Sequence, residues 1–273
     1  MPELSILQIT TIVISLLTTG VFAGLAAGML GIGGGIVIVP ILYAILVYLK
    51  IDLSICMQVA VATSLSVIVV TGFSAVSVHY KYGFINKKLL TSWGVGAFIG
   101  AIAGVILGSY VNGDTLRFVF GFFGIAIALR MFFIRDYKTV SDSKVTEHRL
   151  LQLITATLIG TISTMVGIGG GVLSVPSMVF FGIDMYHATA TSSALSMLIA
   201  IPGTIGFIIT GWNNPNLPFM SLGYLNVLMF LIVTSSAMIA TPTGVRYGRT
   251  VNQKKLRRIF AIVICISSVK MIV

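Results

Sequence analysis

Acidic residues are scarce in this chain, which has seven Asp and Glu among its 273 residues. All of them lie outside the long apolar runs: Glu3, Asp52, Asp114, Asp136, Asp142, Glu147 and Asp184. A carboxylate inside an apolar segment would be the default site for a cation or a proton. Its absence argues against a cation transporter and leaves no evident proton relay.

Charge of either sign is also sparse. Charged residues make up 9% of the chain and hydrophobic residues 57%, whereas a soluble domain carries about 25% charged residues. This composition predicts a polytopic membrane protein surrounded by lipid. The net charge of +10 is concentrated in a few loops, which is typical of membrane topology rather than nucleic-acid binding.

Cysteine and histidine are too few and too scattered to form a recognisable metal site. Cys56 and Cys265 lie far apart, and His79, His148 and His187 do not cluster. The sequence shows no CxxC spacing and no nucleophile–base pattern. We therefore expect no metal, no cofactor and no enzymatic activity.

A glycine-rich motif occurs twice within the apolar sequence. Residues 31–35 read Gly-Ile-Gly-Gly-Gly and are followed by Pro40; residues 167–171 repeat these letters and are followed by Pro176. Each glycine costs a helix about 1 kcal/mol relative to alanine, so a helix should end or break at each motif. Glycine also lets backbone N–H groups approach a ligand closely.

The motif is part of a longer internal repeat. Ala62-Thr63-Ser64 matches Ala190-Thr191-Ser192, and Gly83-Phe84-Ile85-Asn86 matches Gly223-Tyr224-Leu225-Asn226. The predicted fold is an all-α polytopic membrane protein with two repeats of five membrane segments each. The predicted domains are the first repeat, residues 1–134, a cytoplasmic linker, residues 135–149, and the second repeat, residues 150–273.

An odd number of segments per repeat turns the second repeat upside down relative to the first. The basic loops, residues 81–88, 135–149 and 246–258, then fall on one side, and the loops 112–115 and 211–222, poor in lysine and arginine, on the other. Positive residues accumulate in cytoplasmic loops. We therefore predict inverted repeats in the cell membrane, with both termini extracytoplasmic.

The segment after the second motif is too short to cross a membrane. Residues 172–182 would form a helix about 16 Å long, against a hydrocarbon core of about 30 Å. We predict a broken or half-length helix here and, by the repeat, after the first motif. The sequence leaves open whether segments 1–2 and 6–7 cross fully or form re-entrant hairpins. Half-helices at matching positions of inverted repeats are typical of transporter substrate sites.

Two local patterns predict helix packing and helix starts. Gly96, Gly100, Gly104 and Gly108 recur every four residues, which makes a small-residue stripe for close packing between membrane helices. Asn86 and Asn226 precede apolar segments and are predicted to cap them.

The doubled motif and the Ala-Thr-Ser pair resemble the TauE/SafE family of sulfite exporters and related anion permeases. The resemblance rests on residues 28–35 with Pro40 and on their copy, residues 165–171 with Pro176, and it covers both halves. Thr164 stands where the first copy has Gly28. The resemblance implies a multi-pass permease for a small sulfur-containing anion such as sulfite, thiosulfate or a sulfonate.

The predicted site uses neutral donors. N–H groups at a helix start, with the helix dipole, attract an anion, and nearby hydroxyls supply further hydrogen bonds. The predicted substrate-binding residues are Gly33, Gly34, Gly35, Thr63, Ser64, Gly169, Gly170, Gly171, Thr191, Ser192 and Ser193. The predicted pathway residues are Gln58, Pro40 and Pro176. The alternative is that the glycines only permit tight packing and the hydroxyls bond to backbone carbonyls.

The leading functional hypothesis is a secondary transporter that works by alternating access. An anion channel with the same glycine-lined site and a non-transporting membrane scaffold for a partner enzyme are the alternatives. The expected partners are the anion and membrane lipid, and not nucleic acid. The sequence leaves open the exact anion, the direction of transport, the coupling ion and the oligomeric state.

Overall fold

The computed structural model describes residues 5–31, 33–133, 149–248 and 253–272. These residues form ten helices and one short antiparallel ribbon. The elements are α1 (Ile6–Leu30), α2 (Gly35–Tyr48), α3 (Leu53–Lys81), α4 (Lys87–Tyr110), α5 (Gly113–Phe133), α6 (Arg149–Val166), α7 (Gly171–Phe180), α8 (Met185–Gly211), β1 (Ser221–Leu222), β2 (Leu225–Asn226), α9 (Val227–Tyr247) and α10 (Gln253–Ile272). The predicted linker, residues 135–149, lies outside the described residues apart from Arg149.

Within the described ranges, seven helices are long and apolar enough to cross a membrane: α1, α3, α4, α5, α6, α8 and α9. Their outward faces carry large exposed apolar side chains, among them Phe22, Phe98 and Ile239, as expected of surfaces that contact lipid. The chain is therefore an all-α, multi-pass membrane protein, as its composition predicts.

The two short helices form hairpins with the helices that precede them. The side-chain amide of Gln8, near the start of α1, donates to the hydroxyl of Tyr48, the last residue of α2, at 2.9 Å. In the second half, Ser92 near the start of α4 donates to Gln152 of α6 at 3.3 Å. The neighbouring Trp93 ring lies 5.7 Å from Phe181, which follows α7. Each pair thus enters and leaves at the same end of the molecule.

The main helix pairs are preserved when the two halves are exchanged. Helix α1 packs mainly on α9, and its counterpart α6 packs mainly on α4; α3 packs on α8, and α5 packs on α10. The contacts match in detail. A β-carbon added at Gly24 would meet the Ala237 carbonyl, and one added at Gly160 would meet the equivalent Ala97 carbonyl.

The predicted glycine stripe of α4 lies in this packing. Gly96, Gly100 and Gly104 face the backbone of α6, so closely that an added β-carbon would overlap or crowd carbonyl oxygens there. Small residues let membrane helices approach to backbone contact, and the prediction of close packing is confirmed.

The predicted helix caps are also confirmed. The Asn86 side chain accepts a hydrogen bond from the N–H of Leu89, and the Asn226 side chain accepts one from Met229. Each satisfies an N–H group that the helix start leaves unpaired. These two caps fix the starts of α4 and α9, which are equivalent helices of the two halves.

Candidate functional site

Each glycine motif ends one helix and begins the next within a few residues. Gly34 and Gly170 are the N-cap residues of α2 and α7, with φ of +76° and +80°. These left-handed values are disfavoured for residues with a β-carbon. The motif therefore allows the chain to reverse direction sharply, which produces the two hairpins.

At both helix starts, backbone donors lack a partner within the described ranges. The Gly34 carbonyl accepts from Val37 and Ile38, and the Gly170 carbonyl accepts from Leu173 and Ser174. The preceding N–H groups, of Gly35 and Ile36 in α2 and of Gly171 and Val172 in α7, have no acceptor among the described residues. A helix N-terminus carries about half a positive charge. Two buried, unsatisfied N-termini are suited to an anion.

The two motifs touch each other at the interface between the halves. A β-carbon added at Gly35 would overlap the carbonyl oxygen of Gly167, and one added at Gly33 would lie 3.3 Å from the carbonyl oxygen of Ile168. The structure therefore brings together the glycines of both motifs, although more than 130 residues separate them in sequence.

A serine from each half forms a hydrogen bond with the glycine motif of the other half. The Ser64 hydroxyl of α3 donates to the Gly167 carbonyl at 2.8 Å. The equivalent Ser192 hydroxyl of α8 lies 3.3 Å from the Gly31 carbonyl and 3.4 Å from the Gly171 carbonyl. Both serines are fully buried. Their hydrogens point to backbone carbonyls, so in this structure they hold the motifs in place.

The neighbouring threonines also bond across the halves. The Thr63 oxygen accepts from the backbone N–H of Asn226 at 3.1 Å, and the Thr191 oxygen accepts from that of Asn86 at 3.3 Å. Each threonine thereby positions the capped start of a helix in the other half. Its own hydroxyl hydrogen has no acceptor among the described residues and is available to donate.

The remaining predicted site residue, Ser193, is tied to its own helix. Its hydroxyl donates to the Thr189 carbonyl one turn earlier, at 3.1 Å. It lies beside the first motif, where its oxygen would be 3.2 Å from a β-carbon added at Gly31. Ser193 is thus close to the motifs, with its hydrogen already bonded.

The three predicted pathway residues lie apart from one another. Pro40, in α2, lines a cavity of about 850 Å³ between α1, α2 and α10, together with Lys270. Pro176 lies within α7. The Gln58 amide donates to the Val111 carbonyl after α4 at 3.1 Å, and its buried side-chain oxygen has no partner in the part of the chain that the structure describes.

Ile68 of α3 is a site residue that the sequence analysis missed. Its side chain is fully buried and lies within 3.2 Å of the β-carbon positions of Gly33, Gly35 and Gly169. It therefore lies against both motifs where they meet. An apolar residue in an apolar helix carries no sequence signal for such a role.

Metal ligands do not gather anywhere in the described ranges, where no group of three His, Cys, Asp or Glu side chains lies close enough to hold an ion. The site therefore consists of backbone N–H groups, neutral hydroxyls and apolar side chains. That set donates hydrogen bonds without carrying a full charge.

Comparison with known proteins identifies the chain's relatives. The family model described as "Sulfite exporter TauE/SafE" matches residues 16–271. The chain belongs to the TauE/SafE family. The resemblance in the doubled glycine motif is thereby confirmed, and the match takes in both motifs and both halves.

Curated TauE/SafE relatives are named as transporters. A "Probable membrane transporter protein" of Haemophilus influenzae is 30% identical over 96% of this chain and 98% of its own length. The Bacillus subtilis protein YunE, which bears the same description, is 27% identical over 94% of this chain and 96% of its own. A Methanocaldococcus jannaschii relative, also described so, is 27% identical over 89% and 88%. No solved structure gives a significant match. The TauE/SafE chain described here is thus a member of a membrane transporter family.

Proposed function

We propose that this protein is a secondary transporter that moves a small sulfur-containing anion across the cell membrane by alternating access. The observation that carries the proposal is the meeting of two helix starts with unsatisfied N–H groups inside the membrane-embedded core. No basic side chain is needed to attract an anion there, because the helix dipoles and N–H groups do so. The name of the matching family, sulfite exporter, supports sulfite, thiosulfate or a sulfonate as the substrate class.

Alternating access requires two arrangements of the same core. Inverted repeats provide them, because each half can adopt the conformation of the other. The main helix contacts are preserved on exchange of the halves, as two related repeats require. Inversion further requires that α10 crosses the membrane together with α8 and α9, so that each half makes an odd number of crossings.

The charge distribution supports one orientation. The loops at residues 81–88 and 246–258 and the linker at residues 135–149 are basic, and they fall on one side in this topology. We assign that side to the cytoplasm, with both termini outside, the first repeat at residues 1–134 and the second at residues 150–273.

Cysteine labelling tests this topology. Cys56 and Cys265 are first replaced by serine, and a single cysteine is then placed in the linker or in the loop at residues 211–222. We expect an impermeant maleimide to label the two positions from opposite sides of the membrane. Labelling of both from one side would reject the inverted arrangement.

Transport itself is tested with purified protein in liposomes. We expect saturable flux of radiolabelled sulfite or thiosulfate, together with counterflow when the unlabelled anion is present inside. Dissipative flux without counterflow would instead indicate a channel. Absence of flux for every sulfur oxyanion, in either direction, would contradict transport and favour a scaffold.

A further inference from the structure

We propose that the anion is held mainly at the second motif, where the hydroxyls of Ser163 and Ser196 complete its binding shell. This inference rests on the proposed function and adds two binding residues to it. Both side chains are 1% exposed, and both hydroxyl oxygens lack a hydrogen-bond partner among the described residues. A buried hydroxyl left unpaired is destabilising, and a ligand that accepts its hydrogen removes that cost.

Ser163 lies beside the start of α7. Its oxygen is 3.6 Å from the β-carbon position of Gly170, the residue that caps this helix. In the same helix, Thr157 and Thr161 donate to the carbonyl one turn earlier, as hydroxyls in helices usually do. Ser163 makes no such bond, so its donor remains available at the helix start.

Ser196 approaches the same helix start from α8. It lies one turn after Ser192, which contacts the Gly171 carbonyl, and one turn before Ile199, whose side chain contacts the β-carbon position of Gly170. Residues at these spacings share one face of a helix. The Ser196 side chain therefore faces the start of α7, between two residues that touch it.

The first half provides an internal comparison. By the alignment of the motifs, Ala27 is the counterpart of Ser163, and by the alignment of the Ala-Thr-Ser segments, Ile68 is the counterpart of Ser196. The first motif adopts the same left-handed N-cap conformation with these two apolar residues. The fold therefore does not require a hydroxyl at either position, and the difference makes the second helix start the more polar of the two.

Serine-to-alanine variants test the inference. Ser163→Ala and Ser196→Ala remove hydroxyls that have no partner in the described part of the chain, so thermal stability should stay the same or rise. Loss of one hydrogen bond to a charged ligand weakens binding about tenfold or more. Ser268→Ala is the matched control, because its hydroxyl is also buried and without a partner in the described ranges but lies against α5, near Gly124.

Binding is measured by calorimetry on the purified full chain with sulfite, thiosulfate and methanesulfonate. We expect both variants to bind the preferred anion about tenfold more weakly than wild type and Ser268→Ala, with melting temperatures unchanged or higher. Ser163→Cys, which keeps the shape and a weak donor, should fall between serine and alanine.

The outcomes separate this inference from the proposed function. If the wild-type protein binds an anion and the folded Ser163→Ala and Ser196→Ala proteins bind it equally well, the proposed shell at the second motif is overturned. The proposal of anion transport is then unaffected. Failure of the wild-type protein to bind any of the three anions would overturn both. Equal loss in Ser268→Ala would show an indirect effect and also reject the shell.

Discussion

The two glycine motifs share a backbone and differ in what surrounds it. Gly34 and Gly170 have nearly equal φ values, +76° and +80°. A β-carbon at Gly34 would lie 2.5 Å from the carbonyl oxygen of Ala23, whereas one at Gly170 would meet the end of the Ile199 side chain. The motif thus determines the conformation of the turn. The neighbouring helices determine whether backbone or side-chain atoms pack against the N-cap glycine.

We interpret the different surroundings of the two motifs as a difference in function. Backbone packed against the first motif holds the hairpin rigidly. The second motif is enclosed by a flexible side chain and by the unpaired Ser163 hydroxyl, and such surroundings can rearrange around a ligand. We therefore assign the first motif chiefly to structure and the second chiefly to binding.

The largest expected effect on stability is that of Gly34→Ala. The left-handed conformation costs a residue with a β-carbon about 1–2 kcal/mol, and the overlap with the Ala23 backbone raises the total above about 3 kcal/mol. Gly170→Ala should lose only about 1–2 kcal/mol, because the end of the Ile199 side chain can move. Melting temperatures in detergent compare the two.

Gly83→Ala is the control for backbone conformation alone. Its φ is +71°, and an added β-carbon would meet nothing within 4 Å. It should resemble Gly170→Ala in stability and wild type in transport. Equal destabilisation by Gly34→Ala and Gly170→Ala would contradict the assignment of different surroundings.

The next largest effect on stability is expected when the serine hydroxyls that bond to the motifs are removed. Ser64→Ala leaves the buried Gly167 carbonyl without its donor, which should cost about 1–3 kcal/mol. Ser192→Ala should cost less, because its contacts of 3.3 and 3.4 Å are longer than the 2.8 Å bond of Ser64. Urea or thermal unfolding of both variants would rank them, and the reverse order would contradict this reading of the contacts.

The smallest expected effect on stability comes from the threonines that support the helix caps. Thr63→Val and Thr191→Val keep the shape but remove the acceptor for the N–H groups of Asn226 and Asn86. Each should cost about 1 kcal/mol, and Thr63→Val slightly more because its bond is buried. If these hydroxyls also contact the anion, affinity should fall about tenfold to a hundredfold. Unchanged affinity in the folded variants would remove them from the site.

Much of the architecture is readable from the sequence. The doubled motif, the short helix after it, the glycine stripe of α4 and the caps at Asn86 and Asn226 are local patterns with local physical causes. Glycine breaks a helix and asparagine caps one, wherever the rest of the chain lies. These predictions are confirmed because they need no knowledge of distant partners.

The details of the site depend on contacts that the sequence does not contain. Ser64 bonds a residue 103 positions away, and Ser192 one 161 positions away. The Ser64 and Ser192 hydrogens bond to carbonyls, whereas those of Ser163 and Ser196 have no acceptor among the described residues, and this difference arises from tertiary packing. Sequence patterns therefore point to Ser64 and Ser192 for the shell and give no signal for Ser163, Ser196 and Ile68.

Anion binding by Gly170→Val is the sharpest test of an anion site at the second motif, because this substitution places bulk at the helix start and contacts a side chain rather than backbone. Calorimetry with sulfite, thiosulfate and methanesulfonate should show saturable binding of at least one anion to wild type. We expect the Gly170→Val protein to lose that binding while it remains folded, as judged by its melting transition. Wild-type affinity in the folded Gly170→Val protein would contradict an anion site at the glycine motif.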